Sequence, residues 1–432
     1  MPNRHHKPVS KVTSLIFRRK HLWVVAVASV LLFFLFTPKT YETPCVQNIT
    51  IYNSINFALN CDTQSIIHRT NDVTRFFTEF YSWRSRPVFV AMGYFLGEAL
   101  RPIAQPIWWL ALNPGAQARH SLISYGLNFH YHLAFMILNI IIVFGCVRGV
   151  LHISQIPIIN ITALALALAV SSIDLVEVGT YMGHTHLYNM IAIVGAALYV
   201  SFGMSARYQS NWHVIVLGFL VGIGILCYSI IAILAPAFFM GLIYGRLRWP
   251  HLSQPWRALM GKFALFLAAL LPLPVSWYLL SKYGFGSMVY LAAERGQFVW
   301  MLEPLKQGHI TSALYHQIPI FLKALNNTMG PELALCAISL SILATVGRSR
   351  FLKICGDPTS YCIFIAILGV LSFNFLQGFY QPRLHISILV MLYIMIARVS
   401  YKLKHSHIGT VSLLIITSYQ LMNATLYPGV TV

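Results

Sequence analysis

Apolar stretches recur along this chain, separated by short polar breaks that are mostly basic. Eleven of them fit spanning helices, at roughly 21–37, 121–147, 155–172, 186–204, 213–227, 230–246, 261–281, 331–346, 359–378, 385–398 and 408–426. A helix that crosses a bilayer needs about 20 mostly apolar residues, and runs this dense suit helices rather than a barrel. The expected fold is therefore an all-α polytopic membrane protein with about 11 transmembrane helices. Two interruptions are long, 38–120 and 282–330. Within the first, the apolar segment 87–100 (PVFVAMGYFLGEAL) is short and runs into Glu98, Arg101 and Pro102. It reads as interfacial helices on the extracytoplasmic side. The alternative, a further span, would reverse every later loop.

The positions of the charges choose between those two readings. Residues 1–20 form a basic tail with Arg4, Lys7, Lys11, Arg18, Arg19 and Lys20, followed by an apolar run with no small-residue cleavage site. This is the pattern of an uncleaved signal anchor whose tail stays in the cytoplasm. The rest, 21–432, reads as one transmembrane domain. With the tail inside, 18 of the 30 Lys and Arg residues fall on the tail, within the inner breaks near 148–154, 205–212, 247–260, 347–358 and 399–407, or, as Arg246, Lys262 and Arg398 do, at their edges. Basic residues in short loops set orientation. Of the 11 acids only Asp357 falls inside. The orientation rule does not account for that acidic bias, which directs attention to the outer face.

Composition agrees. The chain is 57% hydrophobic and 9% charged, where a soluble protein carries about 25% charged residues. The formal charge of +19 follows the hydropathy pattern, so no nucleic-acid partner is expected. Seven cysteines without CxxC spacing give no zinc or thioredoxin-like site. P-loop, GxSxG and HExxH motifs are missing from the sequence.

The candidate chemistry lies on the outer side. In NCDTQSIIHRTNDVTRFFTEFYSWRSRPVFV, Asp62 and Asp72 stand near Arg84 and Arg86 among aromatic residues. A carboxylate at a membrane surface suits general-base work or metal binding, and arginine suits bidentate phosphate recognition. Weak surface pairing of these same charges is the plain alternative. Cys45 and Cys61 share this loop and could form a disulfide or stay as two thiols. After the third run, SSIDLVEVGTYMGHTHLYNM holds Asp174 and Glu177, then His184 and His186, an HxH that binds a divalent metal or simply caps a helix. In the second long loop Arg295, Lys306 and His309 alternate with aromatic residues, and Arg383 stands in FYQPRLHISILV. Cations among aromatics at an interface suit a phosphate-headed lipid, or ordinary anchoring. His130 and His132 are ionisable residues inside the second run.

The order of these elements resembles the GT-C glycosyltransferases, multi-helix membrane enzymes of the dolichyl-phosphate-mannose mannosyltransferase kind. Four features carry the resemblance: the early Asp62 followed by Arg86-Pro87-Val88-Phe89, the acidic stretch SSIDLVEVG, the paired short helices of GFLVGIGILCYSIIAILAPAFFMGLIYGR, and FYQPRLHISILVMLY. The usual adjacent acidic pair is absent, and Cys227-Tyr228-Ser229 stands where a Lys is frequent. The resemblance implies transfer of a sugar from a polyprenyl-phosphate-linked donor to a lipid, glycan or protein acceptor. Asp62 would be the catalytic carboxylate that activates the acceptor, with Asp72 in reserve. Arg84, Arg86, Arg295, Lys306, His309 and Arg383 would hold the donor, and any metal would sit on Asp62, His184 and His186. No cofactor is required by this reading; a divalent cation, Mg or Mn, is the alternative. The partners would be the donor and membrane lipids, and the location the bacterial inner membrane rather than the endoplasmic reticulum. Two other classes stay open: a transporter or flippase for a lipid-linked or anionic substrate, and a non-catalytic scaffold.

Overall fold

A computed structural model of the protein describes residues 46–51, 55–60, 66–68, 70–72, 86–111, 128–157, 160–173, 185–249, 255–284, 300–378 and 387–426. The elements are the strands β1 (Val46–Ile51) and β2 (Ile55–Asn60) and a succession of helices. In chain order these are α1 (Pro87–Ala111), α2 (Phe129–Ser154), α3 (Ile161–Ser171), α4 (Tyr188–Met204), α5 (Asn211–Cys227) and α6 (Leu234–Arg248). They continue with α7 (Trp256–Leu270), α8 (Pro272–Leu279), α9 (Ile310–Val346), α10 (Arg348–Cys355), α11 (Pro358–Gln377), α12 (Ile388–Lys402) and α13 (Ser406–Leu426).

Five helical stretches are long and apolar enough to cross a membrane: Phe129–Ser154, Ser229–Arg248, Trp256–Gly284, Ile310–Val346 and Pro358–Gln377. This is the build of a multi-pass integral membrane protein. Three shorter apolar helices, α3, α4 and α5, lie among them. The expected run 21–37 lies outside the described residues; each of the other ten falls on a helix.

The core forms around α4, which is apolar on every side and therefore buried. It packs against α6, α11 and α2. The contact with α6 is backbone to backbone: a Cβ on Gly203 or Gly241 would overlap the main chain of the opposite helix. Small residues that let helices approach this closely replace the hydrophobic effect as the packing force in lipid.

One end of the bundle is basic, and here the lone acid of that side has a structural role. Asp357 caps α11 by accepting from the Ser360 amide at 2.9 Å. Its other oxygen takes Arg398 of α12 at 2.7 Å and Lys402 at 2.6 Å. Arg398 is 2% exposed and also donates to the Gln155 side chain at 2.8 Å, just past α2. The ends of α2, α11 and α12 are thereby tied together. The Lys262 ammonium of α7 likewise donates to the Gln209 carbonyl beyond α4.

The sequence expectations need three corrections. The first long loop carries a hairpin as well as helix: β1 and β2 pair antiparallel, with Val46 opposite Asn60, and β2 (INFALN) alternates in the two-residue period of a strand. Segment 87–100 belongs to one 25-residue helix, α1, laid antiparallel on α2, with Phe89 against Phe135 at 4.9 Å. The second long loop ends earlier than expected, since 310–330 is helical and continues as α9 through a kink at Met329 (φ −142°) just before Pro331. A proline that lacks its N–H and crowds the preceding turn explains the kink. Glu332 lies inside this helix, 6% exposed.

Candidate functional site

At the end of α4 opposite the basic one, three separated segments meet. Arg86 stands just before Pro87, which fixes its own φ and, lacking an N–H, opens α1 without losing a bond. Its guanidinium donates to the Thr185 hydroxyl at 2.6 Å and lies 4.8 Å from the Tyr228 ring centroid. Thr185 is fully buried in the Thr185–Leu187 turn that leads into α4. Tyr228 follows α5 and is the turning residue before the single turn Ser229–Ile233 and α6. Tyr188, the first residue of α4, lies beside Cys227, the last of α5. Phe89 packs edge-on to Tyr188 at 5.7 Å and closes the cluster from below.

This arrangement joins pieces that the sequence kept apart. Arg86, expected to hold phosphate, bonds the residue between His184 and His186, and stacks on the middle residue of Cys227-Tyr228-Ser229. A half-buried guanidinium on an aromatic face is the kind of cation that meets a phosphate oxygen.

A second constellation stands about three turns along α1. Glu98 accepts from the Tyr131 hydroxyl, and its other oxygen meets Arg101 at 3.2 Å. His130 Nε2 lies 3.9 Å from Glu98, and neither ring nitrogen of this fully buried imidazole has a hydrogen-bond partner among the described residues. Glu98 remains one-third exposed. A carboxylate open to solvent, with a phenol, an arginine and an imidazole behind it, can take or pass on a proton. Glu98 and His130 were visible in the sequence as isolated ionisable residues; their juxtaposition was not.

The other expected site residues divide in two. Asp72 is half-buried at the end of a helical turn whose Ile66 and Ile67 are anchored in the main core. Lys306 and His309 are exposed, on a segment pinned by the Trp300 indole donating to the Leu376 carbonyl at 3.1 Å. His186 lies in the Thr185–Leu187 turn. Asp62, Arg84, His184, Arg295, Arg383, Cys45 and Cys61 lie outside the described residues. Among the described residues, no three His, Cys, Asp or Glu side chains gather as a metal site.

The helix that packs on α13, α12 and α2 is short. α3 has 11 residues, which at 1.5 Å each reach about 16 Å, roughly half the hydrocarbon thickness. Beyond it Ser172 donates to Gln420 at 2.6 Å, and Gln420 donates to the Tyr393 hydroxyl at 2.8 Å, a buried chain of uncharged polar groups. No family model, curated protein or solved structure matches the chain.

Proposed function

We propose that this protein transfers a sugar from a polyprenyl-phosphate-linked donor to an acceptor at the membrane face opposite its basic end. The basic end would face the cytoplasm, as its arginines and lysines require. The observation that carries the reading is the meeting of Arg86, Thr185 and Tyr228, which supplies a phosphate-binding cation on three converging segments. In the reaction an acceptor oxygen bonds to the anomeric carbon as the bond from that carbon to the phosphate oxygen breaks. The acceptor proton passes to a carboxylate, Asp62 or Asp72, and the polyprenyl phosphate leaves with its charge held by Arg86 and its neighbours. Stabilising charge that builds up on a leaving group is the strongest contribution a fixed cation makes. Arg84, Arg295, Lys306, His309 and Arg383 are the further cations of this proposal. A divalent ion on Asp62, His184 and His186 would share the same task.

Transfer from labelled donor in reconstituted membranes tests the assignment of the base. Asp62→Asn should lower turnover about 10²-fold, the scale of general-base loss. Unchanged turnover in Asp62→Asn and Asp72→Asn, singly and together, would remove both from the mechanism.

The transporter reading keeps one specific support. Glu332 is buried inside α9, three residues beyond the kink at Met329. Ionisable side chains inside spanning helices commonly mark a substrate or ion path. Movement of a lipid-linked substrate between leaflets without sugar transfer would favour it.

A further inference from the structure

The basic end carries a groove that the transferase reading does not use. It has a volume of about 610 Å³ and runs between α10 and the turn that joins α12 to α13. Arg348, Arg350 and His405 line it on the polar side, and Val346, Leu352 and Leu403 on the apolar side. Its shape comes from two backbone features. Gly347, between α9 and α10, presses on Leu403 so closely that a Cβ there would come within 2.8 Å of it. Lys404 then takes a left-handed conformation, φ 66°, which turns His405 back toward α10.

α10 is amphipathic. Ile354 is buried and Phe351 packs against the core, while Arg348, Arg350, Leu352 and Lys353 are exposed. Neither Arg348 nor Arg350 has a hydrogen-bond or ion-pair partner among the described residues. Asp357, the one acid of this end, is already bonded to Arg398 and Lys402. The groove therefore has uncompensated positive charge. It also has an apolar wall that water solvates poorly: Leu352 is 63% and Val346 47% exposed, and Val346 ends the long apolar helix α9. A free anion would use the cations and leave that wall bare. An amphiphile uses both.

We propose that this groove is a binding site for an anionic phospholipid. The headgroup phosphate sits between Arg348, Arg350 and His405, and an acyl chain follows Leu352 and Val346 along α9. Guanidinium groups match phosphate oxygens two at a time, and basic residues next to a spanning helix recognise anionic lipids at about one order of magnitude or less in affinity per residue. The proposal rests on the multi-pass architecture and not on the transferase reading.

Native mass spectrometry of the full chain in detergent, titrated with phosphatidylglycerol or phosphatidylcholine, provides the test. The double variant Arg348→Gln/Arg350→Gln should weaken phosphatidylglycerol binding about 10- to 30-fold and leave phosphatidylcholine binding unchanged. Both residues are exposed, so the variant folds as the parent does. Leu352→Gln should weaken phosphatidylglycerol a few-fold. The double variant Arg248→Gln/Lys353→Gln removes the same charge outside the groove and should change binding less than threefold. An equal loss in both double variants would overturn the proposal in favour of general surface charge. Full competition by inorganic phosphate at equal concentration would overturn it in favour of a free-anion site.

Discussion

Exchanging Asp357 for Asn removes one charge from the basic end and leaves the shape of the side chain in place. Asn caps helices about as well as Asp, so the bond from the Ser360 amide can persist and the substitution isolates the ion pair. What remains is the Arg398 guanidinium, 2% exposed, whose acceptors among the described residues are the Gln155 side chain at 2.8 Å and the Ser154 carbonyl at 3.4 Å. Breaking a buried pair from one side costs about 3–5 kcal/mol, because the other charge is left uncompensated. Asp357 is 19% exposed and Arg398 keeps two neutral acceptors, which places this case near the lower bound, about 3 kcal/mol. Lys402 is 36% exposed and contributes little of it. Arg398→Met should cost less, since Asp357 then stays near water with Lys402. The double variant should be more stable than Asp357→Asn alone, because the stranded charge is gone. Reversible unfolding in mixed micelles containing increasing dodecyl sulfate, followed by circular dichroism, measures all four proteins. A loss under 0.5 kcal/mol in Asp357→Asn, or strict additivity in the cycle, would refute the reasoning. Burial raises the Asp357 carboxyl, but the bonds from Lys402, the Ser360 amide and Arg398, with the Arg398 charge, outweigh it and hold the group below the usual carboxylate range. A depressed folded value stabilises above the unfolded value of about 3.9 and is lost as pH falls through the folded one. Stability should therefore drop below about pH 4 in the parent and drop less in Asp357→Asn.

Three further outcomes are expected. Thiol labelling of Ser253→Cys should report the cytoplasm and of Ser312→Cys the opposite side; the reverse pattern, or one side for both, would remove the topology. Thiol counts under denaturing conditions should rise by two on reduction if Cys45 and Cys61, which directly flank the Val46–Asn60 pair of the hairpin, are bonded; an unchanged count would remove the tether. Arg86→Lys should lose the aromatic contact and the bidentate geometry while keeping charge, and weaken donor binding about tenfold, read as KM; an unchanged KM would contradict the phosphate assignment.

The apolar helices were legible because lipid demands one signal, a long apolar run, and α4, α5, α11 and α13 lie within a few residues of their expected bounds. The errors arose where that signal is interrupted for local reasons. Asn326-Asn327 and Gly330-Pro331 read as a loop, yet the chain absorbs them in one kink inside α9. Glu98, Arg101 and Pro102 read as the end of an apolar segment, but Tyr131 and the mutual pair of Glu98 and Arg101 satisfy the charges and α1 runs on. The strands are six residues each, too short to register in a hydropathy pattern. In the candidate site Arg86 was visible by its charge and by the proline after it. Thr185 and Tyr228 carry no such mark, and a bond between residues 99 apart depends on helix packing that no local pattern records.

The most direct test of the central claim is sugar transfer by the purified chain in proteoliposomes, supplied with radiolabelled polyprenyl-phosphate sugars from one side at a time. The account predicts product only when donor and acceptor are presented at the face opposite the basic end, with Arg86→Ala reducing kcat/KM at least tenfold. Translocated donor with no transferred sugar, and no response to Arg86→Ala, would contradict it.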